Sequence, residues 1–278
     1  MKVLVFGAGG MLGQDFLRAA RLANHRVTGL ARSEADVTDP GAVARAVESE
    51  GPDAVVNCAA YTNVDGAEEE SGEARRVNAD GARNVALAAA EVGASVLYPS
   101  SDYVFDGSKG APYVESDEPS PLSSYGASKL AGEVETSAVN PRHFIVRSSW
   151  LFGTSGHNFV ETMLELGTEQ PQVVVVRDQT GSPTYTAHLA EGLVRLIATD
   201  AHGLHHMAAG GECTWYDFAV EIFDRAGVDC SVMSATTAEL GRPAPRPEYS
   251  VLGTQWEEAI QLPDWRQGLR SYLVERGS

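Results

Sequence analysis

An α/β fold built on a doubly wound parallel sheet is predicted by three features of the 278-residue chain. Short, almost wholly apolar runs alternate with helical patterns through the first half, as in sheets covered on both faces. A glycine-rich turn follows the first apolar run directly. Hydrophobic residues make up 43% and charged residues 21%, a balance that lets one large domain or two modest ones bury a core.

The first strand is KVLVF (2–6), apolar after Lys2. The glycine turn leads into a helix that places Leu12, Phe16 and Ala19 or Ala20 on one face. HRVTGL (25–30) is the second strand, and Val43, Ala46 and Val47 mark a helix begun after Pro40. DAVVNCAA (53–60) is the third strand, and a long alanine-rich helix over about 72–92 stops at Gly93. ASVLYPSS (94–101) and HFIVR (143–147) are further strands, with a helix over 123–138 between them. Pro99 is expected at its strand's last residue, where the ladder is ending.

Beyond about 150 the pattern loosens. QVVVVRD (172–178) reads as a strand, 186–199 as a helix, and HGLHHM (202–207) as a strand at a lobe boundary. Thr214 with Asp217 opens a capped helix that runs to Gly227. GRPAPRPEYS (241–250) is a loop, and a short helix near 254–260 and DWRQGLRSYL close the chain. The sum is a Rossmann-type core over 1–150, with 171–200 adding to it. Residues 151–170 and 201–278 form a smaller C-terminal substrate lobe.

The formal net charge of −17 argues against nucleic acid or an anionic membrane as partner, because the field would repel both. Lysine is scarce: Lys2, Lys109 and Lys129 stand against eighteen arginines. Two readings fit equally. One is a halophile-like acidic surface for molar salt, where the Debye length is about 3 Å; the other is a GC-rich genome. Cys58, Cys213 and Cys230 give no disulfide framework, and no signal-peptide pattern or apolar run of membrane length is present. A cytoplasmic protein follows.

GAGGMLG (7–13) places Gly7, Gly10 and Gly13 at G-x-x-G-x-x-G spacing between a buried strand and an amphipathic helix. In that context the backbone can approach a pyrophosphate, and the helix N-terminus attracts its charge. After the second strand the first charged residue is Arg32, which favours NADPH over NADH through contact with a 2′-phosphate. Glu34 keeps NADH open.

In SSYGASKLAGE (123–133), Tyr125 and Lys129 lie four apart and share a helix face. An ammonium near a phenol lowers its pKa and makes tyrosine usable as a general acid or base. Small residues between them admit a flat cofactor. With the glycine turn, this Y-x-x-x-K resembles the extended short-chain dehydrogenase/reductase superfamily. SSDYVFDG (100–107), RSSWLFG (147–153), RDQTGSPT (177–184), RPEYS (246–250) and LPDWRQGL (262–269) narrow the resemblance to the dTDP-4-dehydrorhamnose reductase family, over residues 2 to about 273.

That resemblance implies Ser101, Tyr125 and Lys129 as catalytic residues. Ser101 would bind the substrate carbonyl, Tyr125 would donate the proton, and Lys129 would hold the ribose. It implies Gly7, Gly10, Met11, Leu12 and Gly13 around the pyrophosphate, Asp36 and Val37 around the adenine, and Ala59, Ala60 and Tyr61 beside the second ribose. Val64, Asp102, Tyr103 and Trp150 would contact a nucleotide-diphosphate 4-ketosugar. Arg246 would pair with the diphosphate or simply stiffen its loop. Asp15 stands where some members carry a carboxylate of a metal-bridged dimer; one aspartate is not a metal site, so no metal is expected and a homodimer stays open. His202, His205 and His206 lack a flanking ligand pattern, and Glu68 to Glu70 read as a solvated helix start. A nucleotide-sugar epimerase or dehydratase, and a regulatory subunit of methionine adenosyltransferase type, are the alternatives on the same fold.

Overall fold

The computed structural model describes residues 1–277. Along the chain run β1 (Lys2–Phe6), α1 (Met11–Leu22), β2 (Arg26–Leu30), α2 (Pro40–Glu50), β3 (Ala54–Asn57), α3 (Gly66–Glu69), α4 (Ser71–Arg75) and α5 (Gly81–Glu91). There follow β4 (Ser95–Ser101), α6 (Ser124–Val139), β5 (His143–Ser148), β6 (Leu151–Phe152), α7 (Phe159–Glu169), β7 (Gln172–Val176), β8 (Thr180–Gly181) and β9 (Thr184–Tyr185). The remainder is α8 (Thr186–Leu196), β10 (Gly203–His206), β11 (Cys213–Thr214), α9 (Trp215–Ala226), β12 (Ser231–Ala235), α10 (Thr237–Leu240) and α11 (Trp265–Gly277). No helix among the described residues is long and apolar enough to cross a membrane.

Six parallel strands form the central sheet in the order β10-β5-β4-β3-β1-β2. Alternation along β1 sends Val3 and Val5 into one apolar cluster with Phe16, Leu189 and Leu193, and Leu4 and Phe6 into another with Val43, Val47 and Val85. Each fully buried side chain of this kind contributes roughly 1.5–3 kcal/mol. Strand order reverses between β1 and β3, and a crevice outside the carboxyl ends of strands at such a point is where ligands bind.

The lobe consists of three two-stranded sheets and α7, α9 and α11 around Phe152, Phe218, Trp265 and Tyr272. Its α9 starts as the sequence predicts, with a reciprocal Thr214–Asp217 capping box, and ends on left-handed Gly227.

Five local expectations differ from the structure. The strand at 172–176 pairs with β12 in the lobe and does not join the core; only Val173 and Val175 are buried, the pattern of a sheet covered on one face. The strand at 203–206, assigned to the lobe, pairs with β5 at the edge of the central sheet. Its edge is closed by side chains, with Glu115 accepting from the His206 N–H and Trp256 Nε1 donating to the Leu204 carbonyl. Residues 254–260 form no helix, because Thr254 Oγ1 and the Gln255 N–H are both bound to the carboxylate of Glu115. The long helix over 72–92 is interrupted by a π-helical turn at Arg76–Asp80, which aims Asn78 at the Tyr61 backbone and at Ser128.

Pro99 lies inside β4, not at its end, opposite Val146. The ladder to β3 stops at Leu97, so no partner on that side loses a donor. The Pro99 carbonyl instead accepts from Lys129 Nζ at 2.7 Å.

Candidate active site

The crevice at the strand ends divides into three adjoining cavities. The central one, about 590 Å³, brings Gly9 to Gly13 together with Ser101, Tyr125 and Lys129. Val64, Asp102, Tyr103 and Trp150 line it as well. A second cleft of about 970 Å³ holds Gly7, Gly10, Arg32, Asp36, Val37, Ala59, Ala60 and Tyr61. Arg246 lies outside both, in a smaller cavity of about 230 Å³ that shares Tyr103 and Trp215 with the central one.

The glycine turn is close-packed. Gly7 has φ +71°, and a Cβ there would strike the backbone of Cys58 and Ala59. A Cβ on Gly13 would strike the Gly7 carbonyl. No side chain caps the N-terminus of α1 at Gly10, so its first N–H groups face the crevice without a side-chain acceptor.

Helix α6 carries the phenol and the ammonium. Ser123 caps it, accepting from the Gly126 N–H, and Glu68 adds a second anchor by accepting from the Ser124 N–H and hydroxyl. Glu68 is thus a tether for the helix of Tyr125, not part of a solvated helix start. Gly126 is required because a Cβ would enter the Tyr103 carbonyl.

Lys129 is only 3% exposed, with Nζ bound to the Pro99 carbonyl and 4.1 Å from the Tyr98 ring centroid. Burial pushes it down to about 7, and the charges of Glu133 and then Cys58 act the other way. Tyr125 departs from expectation: burial pushes it up to about 12, the Asp102 charge adds to that, and a hydrogen bond from Ser101 opposes it. A phenol in this state is protonated at neutral pH and able to act as an acid.

Ser101 Oγ donates to Asp102 Oδ1 at 3.0 Å and accepts from the Tyr103 N–H. Asp102 is buried and also accepts from Ser250 Oγ at 2.6 Å. Burial raises its carboxyl to about 7, against the hydrogen bonds from Ser250 and Ser101. Rotation of the Ser101 hydroxyl would turn its proton from Asp102 to an oxygen in the cavity.

Trp150 has φ +48°, a conformation that costs a bulky residue about 1–3 kcal/mol and is kept where the surroundings enforce it. Its carbonyl accepts from the Thr184 N–H, its ring stacks on Trp215 at 3.6 Å, and Gly181 leaves the room it occupies. Arg32 is 73% exposed and pairs with Asp36 at 3.0 Å, while Glu34 accepts from the Ala31 N–H. Asp36 is held low chiefly by the Thr38 N–H.

Three features were missed at the level of sequence. Glu133 continues the series 125, 129, 133 along α6, a spacing that could have revealed it. It forms a buried two-pronged pair with Arg147 and accepts from Ser100 Oγ. Trp215 and Asp65 gave no local signal. Asp15 is buried and bound within the chain by Arg18 and Thr186, and His206 is bound by the carbonyls of Tyr113 and Gly253.

The family model described as the RmlD substrate binding domain matches residues 1–277. The chain is 43% identical over 276 residues to a dTDP-4-dehydrorhamnose reductase of Streptomyces griseus, covering 96% of this chain and 91% of that one. It is 41% identical to the spore coat polysaccharide biosynthesis protein SpsK of Bacillus subtilis, covering 100% and 98%. The crystal structure of dTDP-4-dehydrorhamnose reductase from Bacillus anthracis, a complex with NADP, superposes with a TM-score of 0.96 at 39% identity over 99% of both chains.

Proposed function

This chain belongs to the dTDP-4-dehydrorhamnose reductase family, and from that membership we propose that it reduces the C4 keto group of dTDP-4-dehydro-6-deoxy-L-mannose to give dTDP-L-rhamnose. One observation carries the proposal: Ser101, Tyr125 and Lys129 line the same cavity as the Gly9–Gly13 turn.

NADPH is the cofactor we assign, and the residues present fit it. The uncapped α1 N-terminus and the glycines that tolerate no Cβ make a cradle for a pyrophosphate. Asn57 Nδ2 and Ser148 Oγ are buried without a hydrogen-bond partner, and both residues line the central cavity. Gly7, Gly10, Met11, Leu12 and Gly13 would hold the pyrophosphate, Asp36 and Val37 the adenine, and Ala59, Ala60, Tyr61 and Lys129 the ribose nearer the reaction. Arg32 would take the 2′-phosphate. The Glu34 carboxylate is folded back on the Ala31 N–H, which weighs against ribose recognition and for NADPH over NADH.

NADPH supplies the hydride when bound. Ser101 and Tyr125 orient the C4 oxygen with their hydroxyls, and Tyr125 gives it a proton. Trp150 covers the sugar, and Val64, Asp102 and Tyr103 complete its surroundings. A hydride on C4 and one proton on its oxygen turn the ketone into an alcohol, and the site offers one acid for that proton. We place the enzyme in the cytoplasm, with its three cysteines as free thiols.

The test is NADPH oxidation in the presence of dTDP-4-dehydrorhamnose, with the product identified by NMR. A wild-type protein that turns over no nucleotide 4-ketosugar refutes the proposal.

A further inference from the structure

Two arginines reach the smaller cavity beside the catalytic one, and they are held differently. Arg246 is 11% exposed, and its guanidinium is engaged on two sides. Nη1 donates to Asp65 Oδ1 at 3.0 Å and to the Ala244 carbonyl at 2.9 Å, and Nη2 donates to Asp65 Oδ2 at 3.0 Å. Arg242 is 59% exposed and has one long contact, 3.4 Å to Asp65 Oδ2.

The shared carboxylate decides which arginine can change partner. Pulling Arg246 away would leave Asp65 and a mostly buried guanidinium without their best hydrogen bonds, a costly exchange. Releasing Arg242 loses only a contact beyond good hydrogen-bonding distance. Two cations facing one carboxylate also leave a positive surplus here, on a chain whose net charge is −17.

The cavity position fits an anion in transit between two subsites. Tyr103 and Trp215 line both this cavity and the catalytic one. A nucleotide sugar with its ketone at Ser101 and Tyr125 would carry its diphosphate past the arginines. The strap bearing them is fastened to the core at two points, with Asp65 accepting from the Ala244 N–H at 3.1 Å and Asp102 accepting from Ser250.

We propose that Arg242 is the residue that grips the diphosphate of the nucleotide sugar, and that Asp65 and Arg246 are positioning residues that set its strap. The assignment rests on the reductase reading above and, of the two roles the sequence left open for Arg246, gives it the structural one and moves the diphosphate contact to Arg242. A guanidinium matches phosphate oxygens with two parallel bonds, and an exposed one can swing to meet them.

The experiment is calorimetric titration of the NADPH-saturated protein with dTDP, and separately with thymidine. Arg242→Ala is expected to weaken dTDP about tenfold or more and to leave thymidine, NADPH affinity and Tm unchanged. Arg242→Lys recovers part of the loss, because a compact ammonium keeps charge without the fork. Arg246→Lys is expected to lower Tm. Wild-type affinity for dTDP in Arg242→Ala overturns the assignment while leaving the reductase reading intact. A wild-type protein that neither binds dTDP nor turns over the ketosugar removes both.

Discussion

The central sheet and the strap from Gly241 to Ser250 both border the site, yet they are held in different ways. The sheet satisfies its backbone groups in five parallel pairings and buries both faces in apolar clusters. The strap contains no helix or strand; two backbone hydrogen bonds tie its end to Thr180, and the rest is fastened by side chains from distant segments: Asp65 to Arg246 and the Ala244 N–H, Asp102 to Ser250, and Glu212 to Tyr249. A sheet of this kind loses little rigidity from one changed contact. The arginine-bearing part of the strap hangs on the Asp65 carboxylate and depends on it, since removing one partner leaves the other unsatisfied. On the proposed reading, chemistry falls to the sheet side and substrate fit to the strap.

The sharpest way to break this contrast is to remove the acid on the sheet side. Tyr125→Phe should lower kcat about 10²–10⁴-fold while NADPH affinity and Tm hold, measured by NADPH oxidation and cofactor titration. A variant that retains activity would take the chemistry away from α6.

Cutting the strap should act on binding and stability together. Asp65→Ala leaves Arg246 without its carboxylate and should destabilise by about 1–3 kcal/mol, read by chemical denaturation. KM for the nucleotide sugar should rise, with little change in NADPH affinity. An unchanged KM would mean that the strap is free of the substrate.

A pH titration sharpens the sheet side. Buried Lys129 is charged below about 7 and neutral above it, so the charge that favours phosphate and ribose is lost as pH rises. NADPH affinity should therefore fall through neutrality toward alkaline pH. Glu133→Gln removes the largest influence holding the ammonium charged, and should move that fall to lower pH. A profile with the same midpoint in both proteins would show that Glu133 does not act on Lys129. The smallest effect belongs to the lobe: Thr214→Ala loses a capping box and should cost about 1 kcal/mol with kinetics unchanged, by thermal melting and steady-state assay.

Much of the site was legible because its parts are local. The glycine spacing at 7, 10 and 13 and the four-residue interval from Tyr125 to Lys129 are properties of a turn and of one helix. What brings them together is the crossing of β1, β4 and α6 at the strand ends, which the strand–helix alternation implies. The upward shift of Tyr125 was not legible, since it is set by burial and by the Asp102 charge, neither of which the four-residue spacing shows. Neither was the role of Pro99, whose open carbonyl depends on where β3 stops.

From the order of residues alone came the parallel core, the glycine turn, the Tyr125–Lys129 pair and the capped lobe helix, each resting on contacts a few positions apart or on periodicity; Ser101 joined them only through the family resemblance. Tertiary structure alone decided that 172–176 leaves the core and 203–206 joins it, and that Asp65 clasps Arg246 with both oxygens while touching Arg242 at only 3.4 Å. Those outcomes depend on partners far along the chain, and a run of four valines or a pair of arginines looks the same in sequence whichever partner it finds.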